Sequence, residues 1–427
     1  MRVLVSAASD AERDPARMRR WGDFHLKGNL LTALLAQGHE ADGEQPEVII
    51  HCYGVPVMLP DWSYNILYIH SHPDGLTREY CQRYDKVYCI APQFLPKLWE
   101  WGIDAELAGV ASDFQPITGA TLKHDAVFVA NAKGYKGNSR AIIQALGDLS
   151  ALPFKLEIWG EGWEGLPDGV WQGEYYPYEQ LNELYASSAV VLNDEHDDMR
   201  REGFVNPRVV DAVRAGAAVV TLPNEGYRLL HLPVTIFESP EQVAGLIEAR
   251  KAGHYIPFTE GGCTYDELAA RLMSNIPVQV RIDLGCGKHK RPGFIGVDAA
   301  ALPGVDIVAD IRREWPLEAD SADYMVADNL MEHIGEEFID VMNHAWETVR
   351  QTGKFRVVVP TVTSTAAFQD PTHVRYFAPE TWDYFDAGNP RWQQYGVTYG
   401  IRPWLVLDKR VDERFIDVLL RPAKGAW

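Results

Sequence analysis

The sequence predicts an α/β protein with three parallel, doubly wound sheets, two in tandem and a third after them. The chain of 427 residues is longer than a single hydrophobic core usually serves, so two or three domains are expected. Short apolar runs alternate with helical patterns up to about residue 275, which is typical of parallel sheets covered by helices on both faces. A strand, a glycine turn and a second strand that ends in an acid then follow between Arg281 and Asp298.

The composition limits the expected partners and compartment. A hydrophobic content of 46% with 11% aromatic residues is typical of a well-packed globular protein. The net charge of -20 repels phosphate backbones, so stable non-specific nucleic-acid binding is not expected. The five cysteines form neither a C-x-x-C pair nor a cluster with histidines, so we expect no metal site and no disulfide framework. Because no signal-peptide pattern and no run of roughly 18 apolar residues is present, a cytoplasmic protein without a membrane span is predicted.

The first predicted domain covers residues 1–116. Its expected elements are a strand at 2–6, a charged loop at 11–20, a helix from Phe24 to Leu35 followed by Gly38, strands at 48–50, 66–70 and 86–90, a helix at 93–102 and a strand at 105–110. The polar run HSHPD follows the third of these apolar strand patterns. Side chains at the end of a strand are well placed to reach a ligand.

The second predicted domain covers residues 117–275 and repeats the alternation. Strands are expected at 126–130, 154–159, 189–192 and 217–222, with helices at 140–149, 178–188 and 207–214. The last helix has the clearest end signals, because Pro207 is a favoured first helical residue, Asn206 before it is a favoured N-cap, and Gly216 follows its end. Backbone N–H groups at such an amino terminus can bind a diphosphate.

These two tandem Rossmann-like domains resemble GT-B glycosyltransferases. The segment EGFVNPRVVDAVRAGAAVVT resembles the donor-binding signature G-x-x-N-x-R-x-x-E, with Asp211 in place of the glutamate. The resemblance implies a nucleotide-sugar donor, whose diphosphate contacts Asn206 and Arg208 and whose ribose is held by Asp211. In NAKGYKGNSR, Lys133, Lys136 and Arg140 could also bind phosphates, although a solvated basic loop is the alternative.

Acceptor-side residues are expected in the first domain. In GT-B enzymes such groups follow a strand, as His70, His72 and Asp74 do in HSHPD, and a histidine near neutrality can take a proton from an acceptor hydroxyl. Asp23 and His25 form a second, weaker pair of candidates. The alternative is that these histidines make only structural contacts within a loop.

The third predicted domain covers residues 277–427 and contains a different nucleoside-binding pattern. Glycines after one strand let a ligand approach the backbone closely. An acid that ends the next strand can accept hydrogen bonds from the hydroxyls of a ribose. A dinucleotide site is disfavoured, because Lys290 stands where the third glycine belongs and the acid follows too soon. The order Asp283, Gly285, Gly287, Asp298 instead resembles motif I of class I S-adenosylmethionine methyltransferases. The connection at 288–293 is too short for a helix, so a tight turn is expected.

The methyltransferase resemblance implies a role for each residue of this pattern. Gly285 and Gly287 would cradle the amino acid moiety, Asp283 would orient its amine, and Asp298 would hold the ribose. Asp310 would face the adenine, and Asp328 ends the strand that closes the pocket.

Catalytic groups for methyl transfer are expected later in this domain. His373 is the candidate base for a hydroxyl acceptor, with Asp370 or His333 behind it, although the Glu332-His333 pair could instead pack or cap a helix. The last two strands, at 404–407 and 415–420, suit the antiparallel hairpin that closes this fold.

The resulting hypothesis is a bifunctional transferase. One module would transfer a sugar from a nucleotide-sugar donor to a glycan or glycoconjugate acceptor, and the other would methylate an oxygen of that sugar with S-adenosylmethionine. Two alternatives remain open. The two activities could serve unrelated acceptors, such as a protein or a modified base of viral DNA, or one module could be an inactive scaffold that only senses its ligand.

Overall fold

Three sheets organise the chain in the computed structural model, which describes residues 1–43, 46–54, 62–132 and 140–425. The chain forms two units, one made of nearly all residues up to Asn275 and one made of the residues from Ile276 onward. The first unit contains two sheets and the second contains one. Within the described ranges, no helix is long and apolar enough to cross a membrane.

The first sheet has six described strands, all parallel, in the order β2-β1-β3-β4-β5-β6. The strands are β1 (Arg2–Ser6), β2 (Glu40–Ala41), β3 (Val48–Cys52), β4 (Tyr64–Ile69), β5 (Lys86–Cys89) and β6 (Ala105–Leu107). The helices are α1 (Pro15–Met18), α2 (Gly22–Ala36), α3 (Arg78–Cys81) and α4 (Leu95–Glu100). The segment expected to be a charged loop contains only short helical turns, since its charged side chains cannot form an apolar face.

Helix α2 covers the first sheet with one apolar face. Leu26, Leu30 and Leu34 recur at helical spacing and are buried, and the helix ends before Gly38, whose φ of 83° requires a residue without a Cβ atom. The predicted helix is therefore confirmed, with both ends within two residues of those expected.

The second sheet also has six described parallel strands, in the order β12-β11-β10-β7-β8-β9. The strands are β7 (His124–Val129), β8 (Leu156–Trp159), β9 (Trp171–Gly173), β10 (Ser188–Asn193), β11 (Ala218–Thr221) and β12 (Val234–Ile236). The helices are α5 (Ala141–Leu146), α6 (Tyr178–Ala186), α7 (Asp197–Arg201), α8 (Pro207–Ala215), α9 (Glu225–Leu229), α10 (Pro240–Lys251) and α11 (Tyr265–Leu272).

Helix α11 returns to the first half of the unit, although the predicted boundaries placed it in the domain of residues 117–275. Cys263 pairs with the backbone of the segment after β6, because its N–H donates to the Val110 carbonyl and its carbonyl accepts from Ser112. Leu268 and Leu272 are buried, and α11 packs on α2. Burial of this apolar face therefore ties the end of the second half to the first.

The third sheet has seven described strands in the order β15-β14-β13-β16-β17-β19-β18. The strands are β13 (Arg281–Leu284), β14 (Ile295–Asp298), β15 (Ile307–Val308), β16 (Ala322–Asp328), β17 (Val349–Pro360), β18 (Trp404–Val411) and β19 (Phe415–Pro422), and the helices are α12 (Phe338–Thr348) and α13 (Ala366–Gln369). Five strands are parallel, whereas β19 runs antiparallel to both β17 and β18. The expected tight turn between β13 and β14 and the closing hairpin are both confirmed.

Leu30 and Leu35 of helix α2 offer a matched test of the apolar face. Leu30 is fully buried, whereas Leu35 is 46% exposed. We expect Leu30→Ala to lower the free energy of unfolding by about 2–5 kcal/mol through lost burial and a cavity. The Leu35→Ala change should alter it by less than about 1 kcal/mol. Urea unfolding followed by tryptophan fluorescence measures both, and equal effects would contradict the described face.

Candidate active sites

The first candidate site lies where the strand order of the second sheet reverses. Strand β7 pairs with β8 on one side and with β10 on the other, and ligands of open α/β sheets bind in the crevice beyond such strand ends. Asn131 follows β7, and a polar run at residues 193–196 follows the body of β10. The Arg140 side chain reaches this edge and donates from Nε to the Asn131 carbonyl at 2.8 Å.

Two arginines converge at this crevice. Arg140 donates to Oδ1 of Asp194 at 3.3 Å, and Arg208 donates to Oδ1 of Asn193 at 3.0 Å. The Arg208 guanidinium also lies 5.7 Å from the ring centroid of Phe128. Burial lowers the pKa of Arg140, the charge of Asp194 opposes this, and the charge of Arg208 lowers the pKa again. The two guanidinium groups therefore repel each other, and an anion such as a diphosphate between them would relieve that repulsion.

The amino terminus of helix α8 adds to the same site. The Asn206 side chain accepts a hydrogen bond from the Arg208 N–H at 3.0 Å, as an N-cap does. Below it, one oxygen of the buried Glu195 accepts from the Asn206 N–H at 3.3 Å, from the Asn193 amide at 2.8 Å and from the Tyr227 hydroxyl at 2.5 Å. This network orients Asn193, and through it the guanidinium of Arg208.

Histidines from both halves of the first unit meet near the arginines. His72 has left-handed backbone with a φ of 52° and stacks on His196, with ring centroids 5.7 Å apart. Burial and the neighbouring cationic groups lower the pKa of His196 to about 4. Burial lowers the pKa of His70 to about 3, so both rings are neutral at neutral pH. Asp74 pairs with Arg201, which joins the two halves.

Asp211 lies one helical turn beyond Arg208 in a buried environment. Burial raises the pKa of its carboxyl to about 7, whereas a hydrogen bond from Ser112 and the charge of Arg208 oppose this rise. Burial raises the pKa of the hydroxyls of Tyr178 and Tyr265, and the charge of the Asp211 carboxyl raises it further. The Asp211 carboxyl therefore has Ser112 as a hydroxyl partner and acts electrostatically on two tyrosines of α6 and α11.

The weaker acceptor-side candidates lie near the end of β1. Asp23 accepts a hydrogen bond from the Ser9 N–H at 3.0 Å, and burial raises the pKa of its carboxyl. The His25 ring stacks on Tyr178 with centroids 4.1 Å apart. Lys133 and Lys136, predicted phosphate contacts, lie outside the described residues.

The second candidate site is formed where β13 of the third sheet ends. Gly285 has a φ of 66°, and a Cβ atom there would lie 2.8 Å from the Leu330 side chain. Gly287 has a φ of 52°, and a Cβ atom there would enter open space. Asp298 accepts from the Gly287 N–H at 2.9 Å and from the Ala300 N–H at 2.8 Å. The glycine turn and the acid of β14 are therefore brought together, as a nucleoside site requires.

Arg291 links two of the predicted cofactor-binding acids. It donates to Asp283 and to Asp328 at 2.8 Å each, and its own N–H donates to Asp283 at 2.9 Å. Burial raises the pKa of Asp283, and the contacts with Arg291 oppose this rise. Asp310 is held separately by Arg312, whose hydrogen bond lowers the pKa of that carboxyl.

Glu332, His333 and His373 come together beside this edge. The short helix of residues 331–333 follows β16, and it places Oε1 of Glu332 3.9 Å from Nε2 of His373. The rings of His333 and His373 meet edge to face at 4.8 Å between centroids. Burial raises the pKa of Glu332 to about 7. Asp370, expected behind His373, instead accepts from Thr372, and Glu332 is the carboxylate that faces the imidazole.

Several residues at these sites were not found from the sequence. Asn193, Asp194 and His196 had a usable signal, because their polar run follows an apolar strand directly. Arg291 had no local signal for its role, and Glu332 was singled out only together with His333, since the partners of both residues are distant in sequence.

The buried Asp211 should make the stability of the first unit depend on pH. Its folded-state pKa of about 7 lies above the ordinary value of 3.8, so the stabilisation present below pH 4 is lost as pH rises through 7. This loss lowers the free energy of unfolding by up to about 4 kcal/mol, and we expect Asp211→Asn to abolish it. Unfolding measured from pH 4 to 8 tests this against Glu179→Gln, an exposed control in α6. If the free energy of unfolding changed with pH in the same way in Asp211→Asn and in the unaltered chain, the assigned role of Asp211 would be wrong.

Residues 138–254 match the family described as Glycosyl transferase-like, and this segment is therefore glycosyltransferase-like. Together with the parallel sheets, this match confirms the predicted α/β fold class. No curated protein matches the chain.

The solved structures to which the chain is similar include a glycosyltransferase and two methyltransferases. AviGT4, a glycosyltransferase involved in avilamycin A biosynthesis, has 15% identity over 64% of this chain and 92% of its own, with a TM-score of 0.40. A SAM-dependent methyltransferase from Archaeoglobus fulgidus has 14% identity over 34% of this chain and 86% of its own, with a TM-score of 0.24. The trans-methyltransferase CalH, in complex with SAH, has 14% identity over 34% of this chain and 51% of its own, with a TM-score of 0.25.

Proposed function

We propose that the chain is a bifunctional transferase that moves a sugar from a nucleotide-sugar donor and methylates a hydroxyl of that sugar with S-adenosylmethionine. The observation that carries the first activity is the contact of Arg140 with Asp194 and of Arg208 with the neighbouring Asn193, at the strand-order reversal of a glycosyltransferase-like segment. The observation that carries the second is the glycine turn bonded to Asp298 at the end of β14.

Sugar transfer needs stabilisation of the leaving diphosphate. Negative charge grows on its oxygens as the glycosidic bond breaks, and preorganised cations stabilise that charge without having to reorganise. Asp194 and Asn193 hold Arg140 and Arg208 in place before a donor arrives. The amino terminus of α8 adds its N–H groups and a partial positive charge.

The acceptor hydroxyl must lose a proton during sugar transfer. His72 belongs to the first half of the unit, and its contact with His196 places it near the arginines. A neutral imidazole there can accept the proton as the new bond to the sugar forms. Asp23 is the second candidate base, because it lies near the end of β1 and burial raises the pKa of its carboxyl.

Methyl transfer depends mainly on the position of the donor. Gly285 and Gly287 would hold the amino acid moiety of S-adenosylmethionine, Asp298 its ribose and Asp310 its adenine edge. The sulfonium supplies an electrophilic methyl group, and the protein aligns the acceptor oxygen with it. The Arg291 bridge holds Asp283 and Asp328 in position at the same edge.

A sugar is favoured as the methyl acceptor by the surface around His373. Phe368 and Tyr376 flank it in sequence, are 58% and 49% exposed, and stack with centroids 4.8 Å apart. The C–H face of a sugar ring packs well on exposed aromatic rings, and such apolar patches mark ligand sites. Fusion of both modules in one chain would raise the local concentration of the glycosylated product for the second reaction.

Arg208→Ala should abolish sugar transfer and leave methylation of a pre-glycosylated acceptor unchanged. A thermal-shift screen of UDP, GDP, CMP and dTDP first identifies the donor class, since a ligand that binds only the native state raises the melting temperature. We then expect at least a ~100-fold loss of sugar transfer because one charge contact to the leaving group is lost. Arg228→Ala, which changes an exposed arginine, is the control. Equal loss of both activities in Arg208→Ala would refute separate sites.

Asp298→Asn should weaken binding of S-adenosylhomocysteine about 10-fold or more, because a charged acceptor for the ribose hydroxyls is lost. Isothermal titration calorimetry measures the affinity, and Asp340→Asn in the exposed part of α12 is the control. Nucleoside diphosphate binding should stay unchanged in both variants. Unaltered S-adenosylhomocysteine affinity in Asp298→Asn would argue against the assigned ribose contact.

A further inference from the structure

We propose that Glu332, His333 and His373 bind a divalent transition-metal ion at the carboxyl edge of the third sheet. One ligand atom from each side chain lies within 4.8 Å of the others. Two imidazoles with one carboxylate are a ligand set that suits Zn²⁺, Co²⁺, Mn²⁺ or Fe²⁺ and not Ca²⁺ or Mg²⁺. Bonds of roughly 2.1 Å to one ion place its ligand atoms about 3–3.5 Å apart, so the distances between the ligand atoms need to shorten by at most about 1.3–1.8 Å.

The state of Glu332 is an independent indication of a bound cation. The residue is only 1% exposed, and neither carboxylate oxygen has a hydrogen-bond donor from another residue in the described part of the chain. A carboxylate removed from water without such donors is strongly unfavourable. A cation bound between Glu332 and the imidazoles would neutralise it, and both oxygens are available as ligands.

The hydrogen bond at Nδ1 of His373 directs the other ring nitrogen toward Glu332. Nδ1 lies 2.9 Å from the Ala367 carbonyl oxygen, which can only accept, so Nδ1 carries the proton. Nε2 then presents its lone pair to Oε1 of Glu332 at 3.9 Å, a distance too long for a direct hydrogen bond. Two electron-pair donors that face each other across this gap form the arrangement that a metal ion joins.

His333 is oriented in the same way from the other side. Its Nδ1 lies 3.0 Å from the Thr372 hydroxyl, which is itself bonded to Asp370. This contact leaves Nε2 available and fixes the ring edge to face against His373. Partners that hold the ligating side chains in position are a regular feature of protein metal sites.

Three protein ligands leave coordination positions open for a substrate oxygen. This use of the ion rests on the proposed methyl transfer. An acceptor hydroxyl bound to the ion is more acidic, so its proton can pass to a solvent water. The oxygen then forms a bond to the methyl carbon as the carbon–sulfur bond breaks, and the thioether leaves with the electron pair of that bond. With the ion bound, His373 is a metal ligand and not a base. The ion then promotes loss of the proton from the acceptor hydroxyl.

Co²⁺ titration of the full-length, chelator-treated protein tests the site directly. Visible absorption reports Co²⁺ coordinated by nitrogen ligands, and calorimetry with Zn²⁺ reports stoichiometry and affinity. We expect the unaltered protein to bind one equivalent of metal. The metal affinity should be at least 30-fold weaker in Glu332→Gln and in His333→Ala, which changes a partly exposed residue. Glu336→Gln, an exposed change of the same kind four residues away, should bind as the unaltered protein does.

Two results would overturn the metal site. One is absence of stoichiometric Co²⁺ and Zn²⁺ binding to the unaltered protein, and the other is undiminished binding in both Glu332→Gln and His333→Ala. A thermal shift with S-adenosylhomocysteine, measured on the same metal-free samples, reports the methyl-donor site separately. Failure of the metal site and failure of the proposed methyltransferase are therefore distinguishable.

Discussion

Parallel pairing of the central strands is the constraint on which both candidate sites depend. Parallel strands place all their carboxyl ends at one edge, and reversal of the strand order opens a crevice there. In the second sheet the reversal lies between β7 and β10, and the side chains of Arg140 and Asn193 lie at this edge. In the third sheet β13 lies between β14 and β16, so Gly285, Asp298 and Asp328 reach a common edge. Each site therefore gathers residues that are far apart in sequence.

Charge placement distinguishes the two crevices. In the first unit, two guanidinium groups lie at the edge, where Arg140 is held by a carboxylate and Arg208 by an amide. In the second unit, acids predominate, and Arg291 neutralises two of them. A cationic crevice suits a diphosphate leaving group, whereas an acidic one suits ribose hydroxyls and a sulfonium. The two sites are thus built on the same kind of sheet but carry different charged groups.

Buried carboxyl groups behave differently according to their partners. Glu195 is buried, but one of its oxygens accepts three hydrogen bonds and serves the arginine site as a structural group. Asp211 is buried with one hydroxyl partner, and its pKa rises to about 7. Glu332 has no donor from another described residue, and it faces two imidazoles. This difference in hydrogen bonding is the reason why only Glu332 is interpreted as a metal ligand.

Local sequence determined the elements and their ends. Apolar periodicity defines α2, the Asn206 N-cap begins α8, and the glycine turn before Asp298 forms as its spacing predicts, because these features depend on neighbouring residues. Tertiary structure alone decided the long-range pairs. His373 lies 40 residues beyond His333, and only the fold of the third sheet brings their rings together. Contacts between distant segments depend on the whole chain being packed, so no local pattern could have encoded them.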